Sequence, residues 1–174
     1  MFEYLKEQNE KRVRGGLQEY IGEYLYRFIL DNNIQSVVET GVSWGFSSCY
    51  FLEAVARTRG MLVSIENRLI PEKRRVVPKI LYSRWKIFEG SSKELLPKLL
   101  TKRDHVGLFW HDSDHSYGNQ LFEYRIARPQ ARFIGSHDIH RRKRCAWDVF
   151  KNETKHRLIF EDDQFGLLEV LPCG

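Results

Sequence analysis

The chain lacks any apolar run approaching the roughly 18 residues needed to cross a bilayer, and its N-terminus, Met1 to Arg14, is charged throughout. Neither a membrane span nor a secretory leader is expected, and the sequence reads as a cytoplasmic, soluble protein with no membrane partner. Cysteine is scarce: Cys49, Cys145 and Cys173 are odd in number and far apart, which suits neither a disulfide framework nor a zinc ribbon and points to reduced thiols. Charge of neither sign dominates. The formal net charge is +5, with clusters at Lys73-Arg74-Arg75 and Arg141-Arg142-Lys143-Arg144, a modest excess that reads as solvated surface and does not by itself call for a nucleic-acid partner. No linker-like stretch interrupts the chain. With 42% hydrophobic and 29% charged residues, disorder is excluded, and 174 residues fit one domain, 1–174, whose residues 1–33 form a helical segment packed on a sheet.

What is present is a strict alternation of strand-like and helix-like segments. Gly15 to Asn32 carries Leu17, Tyr20, Ile21, Tyr24, Leu25 and Phe28 at amphipathic-helix spacing. Strands are predicted at Ser36–Glu39, Met61–Ile65, Trp85–Glu89, Val106–Trp110 and Arg132–Ser136. Helices are predicted at Ser47–Arg57, Pro71–Leu81, a leucine-bearing segment after Gly90-Ser91-Ser92, Tyr117–Ile126 and Cys145–Glu153. Pro71 suits a first helical position, and a serine before Lys93-Glu94 is expected to supply an N-cap oxygen. Two closing strands, His156–Phe160 and Gly166–Leu171, are separated by the short polar stretch Glu161 to Gln164, which permits a hairpin and not a crossover. The pattern predicts an α/β, Rossmann-like doubly wound sheet, mostly parallel, with ligands at the carboxyl ends of its strands.

The densest signal lies where the first strand runs into Glu39-Thr40-Gly41-Val42-Ser43-Trp44-Gly45-Phe46-Ser47-Ser48. A strand entering a glycine turn and then a helix brings backbone N–H groups up to a polar ligand. Gly41 and Gly45 are four apart with Ser43 between them, so the G-x-G-x-x-G dinucleotide fingerprint is not met. Glu39 would face an amine-bearing ligand or order the loop, and pyrophosphate would be repelled by it. Glu66, closing the second strand, is placed to accept hydrogen bonds from a ribose diol. The plainer alternative is that the two glycines only permit a tight turn.

Residues 39–47, E-T-G-V-S-W-G-F-S, resemble the first motif of class I S-adenosylmethionine (SAM)-dependent methyltransferases in its E-x-G-x-x-x-G-x-S form. Ser64-Ile65-Glu66 resembles the second motif, and Phe88 to Ser92 followed by Leu95-Leu96 resembles the segment near the adenine. Phe109 to Tyr117, F-W-H-D-S-D-H-S-Y, is similar to the F-I-D-G-D-H-S-Y signature of small-molecule O-methyltransferases, and Phe165 to Val170 is similar to the closing strand. The resemblance spans roughly residues 15 to 171 in order. It implies seven strands with the last antiparallel, and SAM surrounded by Glu39, Gly41, Ser43, Gly45, Ser47, Glu66, Ser91, Ser92 and Asp112. Ser43 stands where a glycine is commoner.

Four of the six histidines, His111, His115, His137 and His140, follow the fourth and fifth strands together with Asp112, Asp114 and Asp138. Metal-dependent members of the resembled family place an aspartate after strand four and an acidic pair after strand five, so Asp112, His137 and Asp138 occupy the places of metal ligands. His137 departs from that pattern, and an imidazole moves the preference from Mg²⁺ toward Mn²⁺, Fe²⁺, Co²⁺ or Zn²⁺. The alternative is that His111 and His137 only hydrogen-bond within their loops. His115 or His140 could remove a substrate proton, a task suited to a group titrating near neutrality, or His115 could hold its loop through a backbone hydrogen bond.

The reading that follows is SAM-dependent methylation of an oxygen on a small molecule, metal-assisted or not, with the Arg141–Arg144 run as a candidate contact for an anionic acceptor. No Asn-Pro-Pro-Tyr segment follows the fourth strand, which turns weight from adenine or glutamine amino groups to oxygen. Two other readings use the same fold: a metal-dependent hydroxylase-like enzyme, and a non-catalytic SAM-binding accessory protein. With no insertion to enclose an acceptor, a homodimer could supply the missing wall.

Overall fold

The computed structural model describes residues 17–69, 71, 76–102, 105–139 and 145–172. Seven strands, β1 (Ser36–Thr40), β2 (Met61–Glu66), β3 (Trp85–Glu89), β4 (Val106–His111), β5 (Ala131–His137), β6 (His156–Glu161) and β7 (Phe165–Val170), form one sheet in the order β3-β2-β1-β4-β5-β7-β6. β1 to β5 pair in parallel, and β7 runs antiparallel to both β5 and β6. This is the expected doubly wound sheet with a reversed last strand. The strand order turns back on itself between β1 and β4, so the ends of those two strands open a crevice.

Adjacent strand residues point to opposite faces, and the core divides accordingly. Val37, Leu62, Leu108, Phe133 and Leu167 pack under α1 (Glu19–Asp31) and α2 (Phe46–Arg57). Their neighbours Val38, Val63, Phe109, Ile134 and Leu168 pack under α3 (Ser92–Leu100), α4 (Tyr117–Ala127) and α5 (Ala146–Glu153). Near-continuous apolar strands are what a sheet covered on both faces requires.

Two local expectations are corrected. The helix expected over Pro71–Leu81 is, among the described residues, a short 3₁₀ helix at Lys79–Arg84. Val76 and Val77 precede it without helical structure, since Pro78 disfavours the helical region for the residue before it. Val76 instead donates its N–H to the Trp44 carbonyl at 2.9 Å, and both valines are buried. At α3 the N-cap is Ser91, but its side chain makes no capping hydrogen bond. The Ser92 side chain turns to Glu123 of α4.

Candidate active site

The segment after β1 is shaped by three residues in left-handed backbone: Gly41 (φ 85°), Ser43 (φ 47°) and Gly45 (φ 85°). Gly41 donates to the Ile65 carbonyl at 2.9 Å, while Asp112 N–H donates to Thr40 O at 2.8 Å, so the loop is pinned to β2 and to the end of β4. A Cβ on Gly41 would lie 2.1 Å from the Asp112 carbonyl oxygen, a backbone contact only glycine permits. Val42 and Ser43 turn their N–H groups onto one oxygen of Glu66, at 2.7 and 2.9 Å. The other Glu66 oxygen accepts Arg68 N–H at 3.2 Å.

Glu39 is fully buried and does not line the cleft at the carboxyl ends of the strands. Its carboxyl oxygens accept the hydroxyls of Ser47 (2.5 Å), Ser48 (2.6 Å) and Ser64 (2.7 Å), which tie β1 to the first turn of α2 and to β2. Burial raises this carboxyl to about 7 even though the three serines pull the other way. Glu39 therefore orders the loop, through serine hydroxyls and not through backbone N–H groups.

A cleft of about 520 Å³ opens at the carboxyl ends of β1 to β4. Of the residues expected around a cofactor, Gly41, Ser43, Glu66, Ser91, Ser92 and Asp112 line it; Glu39, Gly45 and Ser47 do not, and support the loop from beneath. The cleft also takes in Asp114 of the histidine and aspartate cluster, and Asn67, Lys93, Ser113 and Asn119, which the sequence reading did not single out.

Behind the cleft lies a second buried carboxylate that the sequence reading passed over. Glu123 is fully buried on α4 and receives Thr40 Oγ1 (2.5 Å), His111 Nδ1 (2.6 Å), Ser113 Oγ and Asn119 Nδ2 (both 2.9 Å). Burial raises the Glu123 pKa, but hydrogen bonding and charge from His111, with Ser92 and Thr40, overcome it and hold the group down to about 2. Its signal was legible, since Gln120, Glu123, Tyr124 and Ala127 share the buried face of a helix, and a carboxylate at such a position demands partners.

Beyond Asp112 the cleft meets the histidine cluster. His115 Nε2 stands 3.6 Å from Asp112 Oδ1 and 3.6 Å from Asp138 Oδ2. Burial lowers the His115 pKa, opposed by Asp112 and Asp138 and reinforced by His111 and His137. No backbone hydrogen bond holds its ring, and His115 Nδ1 and His111 Nε2 are buried without partners among the described residues. His137 turns Nδ1 to Asp112 Oδ1 (3.1 Å) and Nε2 to Gln18 Oε1 (2.9 Å). Both of its nitrogens are thus engaged by protein groups. Among the described residues no three of His, Cys, Asp and Glu are grouped to hold a metal ion, so the expected set Asp112, His137 and Asp138 is not laid out as ligands. His140 and Arg141–Arg144 lie outside the described residues, as do Lys73–Arg75 and Cys173. Among the described residues no helix is long and apolar enough to cross a membrane.

Residues 38–139 match a family described as a methyltransferase domain. No curated protein matches the chain. Among solved structures it is similar to an SAH-bound methyltransferase of Podospora anserina, at 14% identity and a TM-score of 0.73 over 97% of this chain and 88% of that one. It is likewise similar to an O-methyltransferase of Bacillus cereus in complex with SAH, at 12% identity and a TM-score of 0.69 over 97% and 89%. An O-methyltransferase of Streptomyces achromogenes involved in tomaymycin synthesis, in complex with SAM, is 13% identical with a TM-score of 0.73 over 98% and 90%. At such identities the likeness is one of fold.

Proposed function

This chain belongs to the methyltransferase-domain family, and we propose that it transfers the methyl group of SAM to an oxygen of a small-molecule acceptor. The observation that carries this reading is the Glu66 carboxylate at the end of β2, lining the cleft and bonded to the glycine loop of β1. A carboxylate there suits a ribose diol, and the polar wall of Ser43, Asn67, Ser91, Ser92 and Asp112 suits the rest of a nucleoside with an amino-acid tail. The SAH- and SAM-bound structures of the same fold support it. When bound, SAM supplies an electrophilic methyl group on a sulfonium; the rate then depends on how well the protein aligns the acceptor with it.

His115 is the base in this reading. Burial keeps it neutral near pH 7, so Nε2 can accept the acceptor's hydroxyl proton. The imidazolium formed lies between Asp112 and Asp138, each 3.6 Å from Nε2, and their charge stabilises it as the proton arrives. A divalent cation would have to take the same Asp112 and Asp138 oxygens that face His115, and a His137 nitrogen already committed to Asp112. These donors fit a proton-accepting imidazole between carboxylates. The hydroxylase reading needs an iron on two histidines and a carboxylate, and no observation favours it.

Isothermal titration with S-adenosylhomocysteine (SAH) tests the donor. Saturable binding is expected. A wild-type protein that binds neither SAH nor SAM overturns the reading and leaves the accessory role without its ligand as well.

A further inference from the structure

Glu123 is fully buried and does not line the cleft, yet it contacts three residues that do: Ser92 after β3, Ser113 after β4, and Asn119 on α4. Its remaining partners, Thr40 and His111, are the last residues of β1 and β4. Every one of these groups is a donor. Hydroxyls and the Asn119 amide point hydrogens at the carboxylate, and an ionised carboxylate accepts only, so His111 Nδ1 must carry a proton as well. We propose that Glu123 is the positioning residue of the donor site: one buried carboxylate on α4 fixes the spacing between the β1, β3 and β4 segments that form the cleft. The proposal rests on the cleft being a SAM site.

The physical reason is the mismatch any other side chain would create. Glu123→Gln keeps the shape but sets an amide NH₂ against hydrogen-bond donors, leaving buried groups unsatisfied and the segments free to drift. Because three of these partners line the cleft and none is His115, Asp112 or Asp138, the consequence is read first in donor affinity. Thr40→Val is a milder probe: Thr40 is buried, does not line the cleft, and among the described residues its hydroxyl bonds only Glu123.

The test is titration of full-length wild type, Glu123→Gln and Thr40→Val with SAH, reading dissociation constant and stoichiometry separately. A positioning role predicts near-unit stoichiometry with SAH bound about tenfold or more weakly by Glu123→Gln and a few-fold more weakly by Thr40→Val. A merely structural role lowers the binding-competent fraction and leaves the dissociation constant of the folded molecules unchanged, which overturns the proposal. Should Glu123→Gln not fold, Thr40→Val decides on the same criterion. Wild-type affinity in the variants sinks the positioning role alone, whereas failure of the wild type to bind SAH removes the donor reading and this proposal with it.

Discussion

The Glu66 carboxylate accepts the Val42 N–H at 2.7 Å, so the residue that closes β2 is also a strut for the loop that follows β1. One oxygen is committed to the loop through Val42 and Ser43, and the other, among the described residues, meets only the Arg68 N–H at a longer 3.2 Å. That second oxygen is the one a ribose hydroxyl would engage.

On the proposed reading, Glu66→Ala removes a ribose contact and a loop support together. SAH affinity is expected to fall by about tenfold or more, the scale of losing a charge-assisted hydrogen bond, with a modest drop in melting temperature. Calorimetric titration at unchanged SAH affinity would remove Glu66 from the site.

The two loop glycines should differ in sensitivity. At Gly41 an added methyl group meets the Asp112 backbone at 2.1 Å with φ at 85°, whereas at Gly45, at the same φ, it meets a Val77 methyl at 2.8 Å, which can rotate away. Gly41→Ala should lose about 2 kcal/mol or more from backbone strain alone and Gly45→Ala less than Gly41→Ala. Denaturant unfolding of the pair in the opposite order would contradict this account.

His115→Gln should lower kcat by about a hundredfold with little effect on SAH affinity, because the ring meets Asp112 but does not itself line the cleft. Since burial depresses the His115 pKa below 6.5, activity should stay level through pH 7 and decline only as pH falls below the ordinary histidine range. An acid limb above that range would assign the base elsewhere. Activity is also expected to survive dialysis against EDTA, and loss restored by Mn²⁺ or Mg²⁺ would return the cluster to metal chemistry.

Stability should report the two buried carboxyls with opposite signs. Glu39, raised to about 7 from an ordinary 4.5, contributes stability that is full below pH 4.5 and lost as pH rises through about 7. Glu123, lowered to about 2, contributes stability that is present above pH 4.5 and lost as pH falls through about 2. Melting temperatures of wild type and Glu39→Gln across pH 4 to 8, the interval spanning those values, should therefore converge in form only above about 7. A wild-type curve parallel to that of the variant throughout would mean that folding leaves the Glu39 carboxyl at its ordinary value.

The alternation of apolar strands and amphipathic helices was enough to set the sheet, since burial on both faces writes near-continuous apolar runs into the central strands, and the polar stretch before Phe165 was too short for anything but a hairpin. The glycine loop and Glu66 were legible because their backbone and charge requirements are local. The 3₁₀ helix at Lys79–Arg84 was not, although Pro78 warned against a helix across it.

By itself, then, the sequence determined the strand order's raw material, the glycine loop that edges the cleft and the residues concentrated after β4 and β5. Only the tertiary structure decided what each polar group does. It buried Glu39 among serines, gathered five donors onto Glu123, and set His115 between Asp112 and Asp138 with His137 turned to Gln18. Residues distant in sequence meet only when the sheet is assembled, and a buried polar group takes its role from whichever partners the fold brings within hydrogen-bond reach.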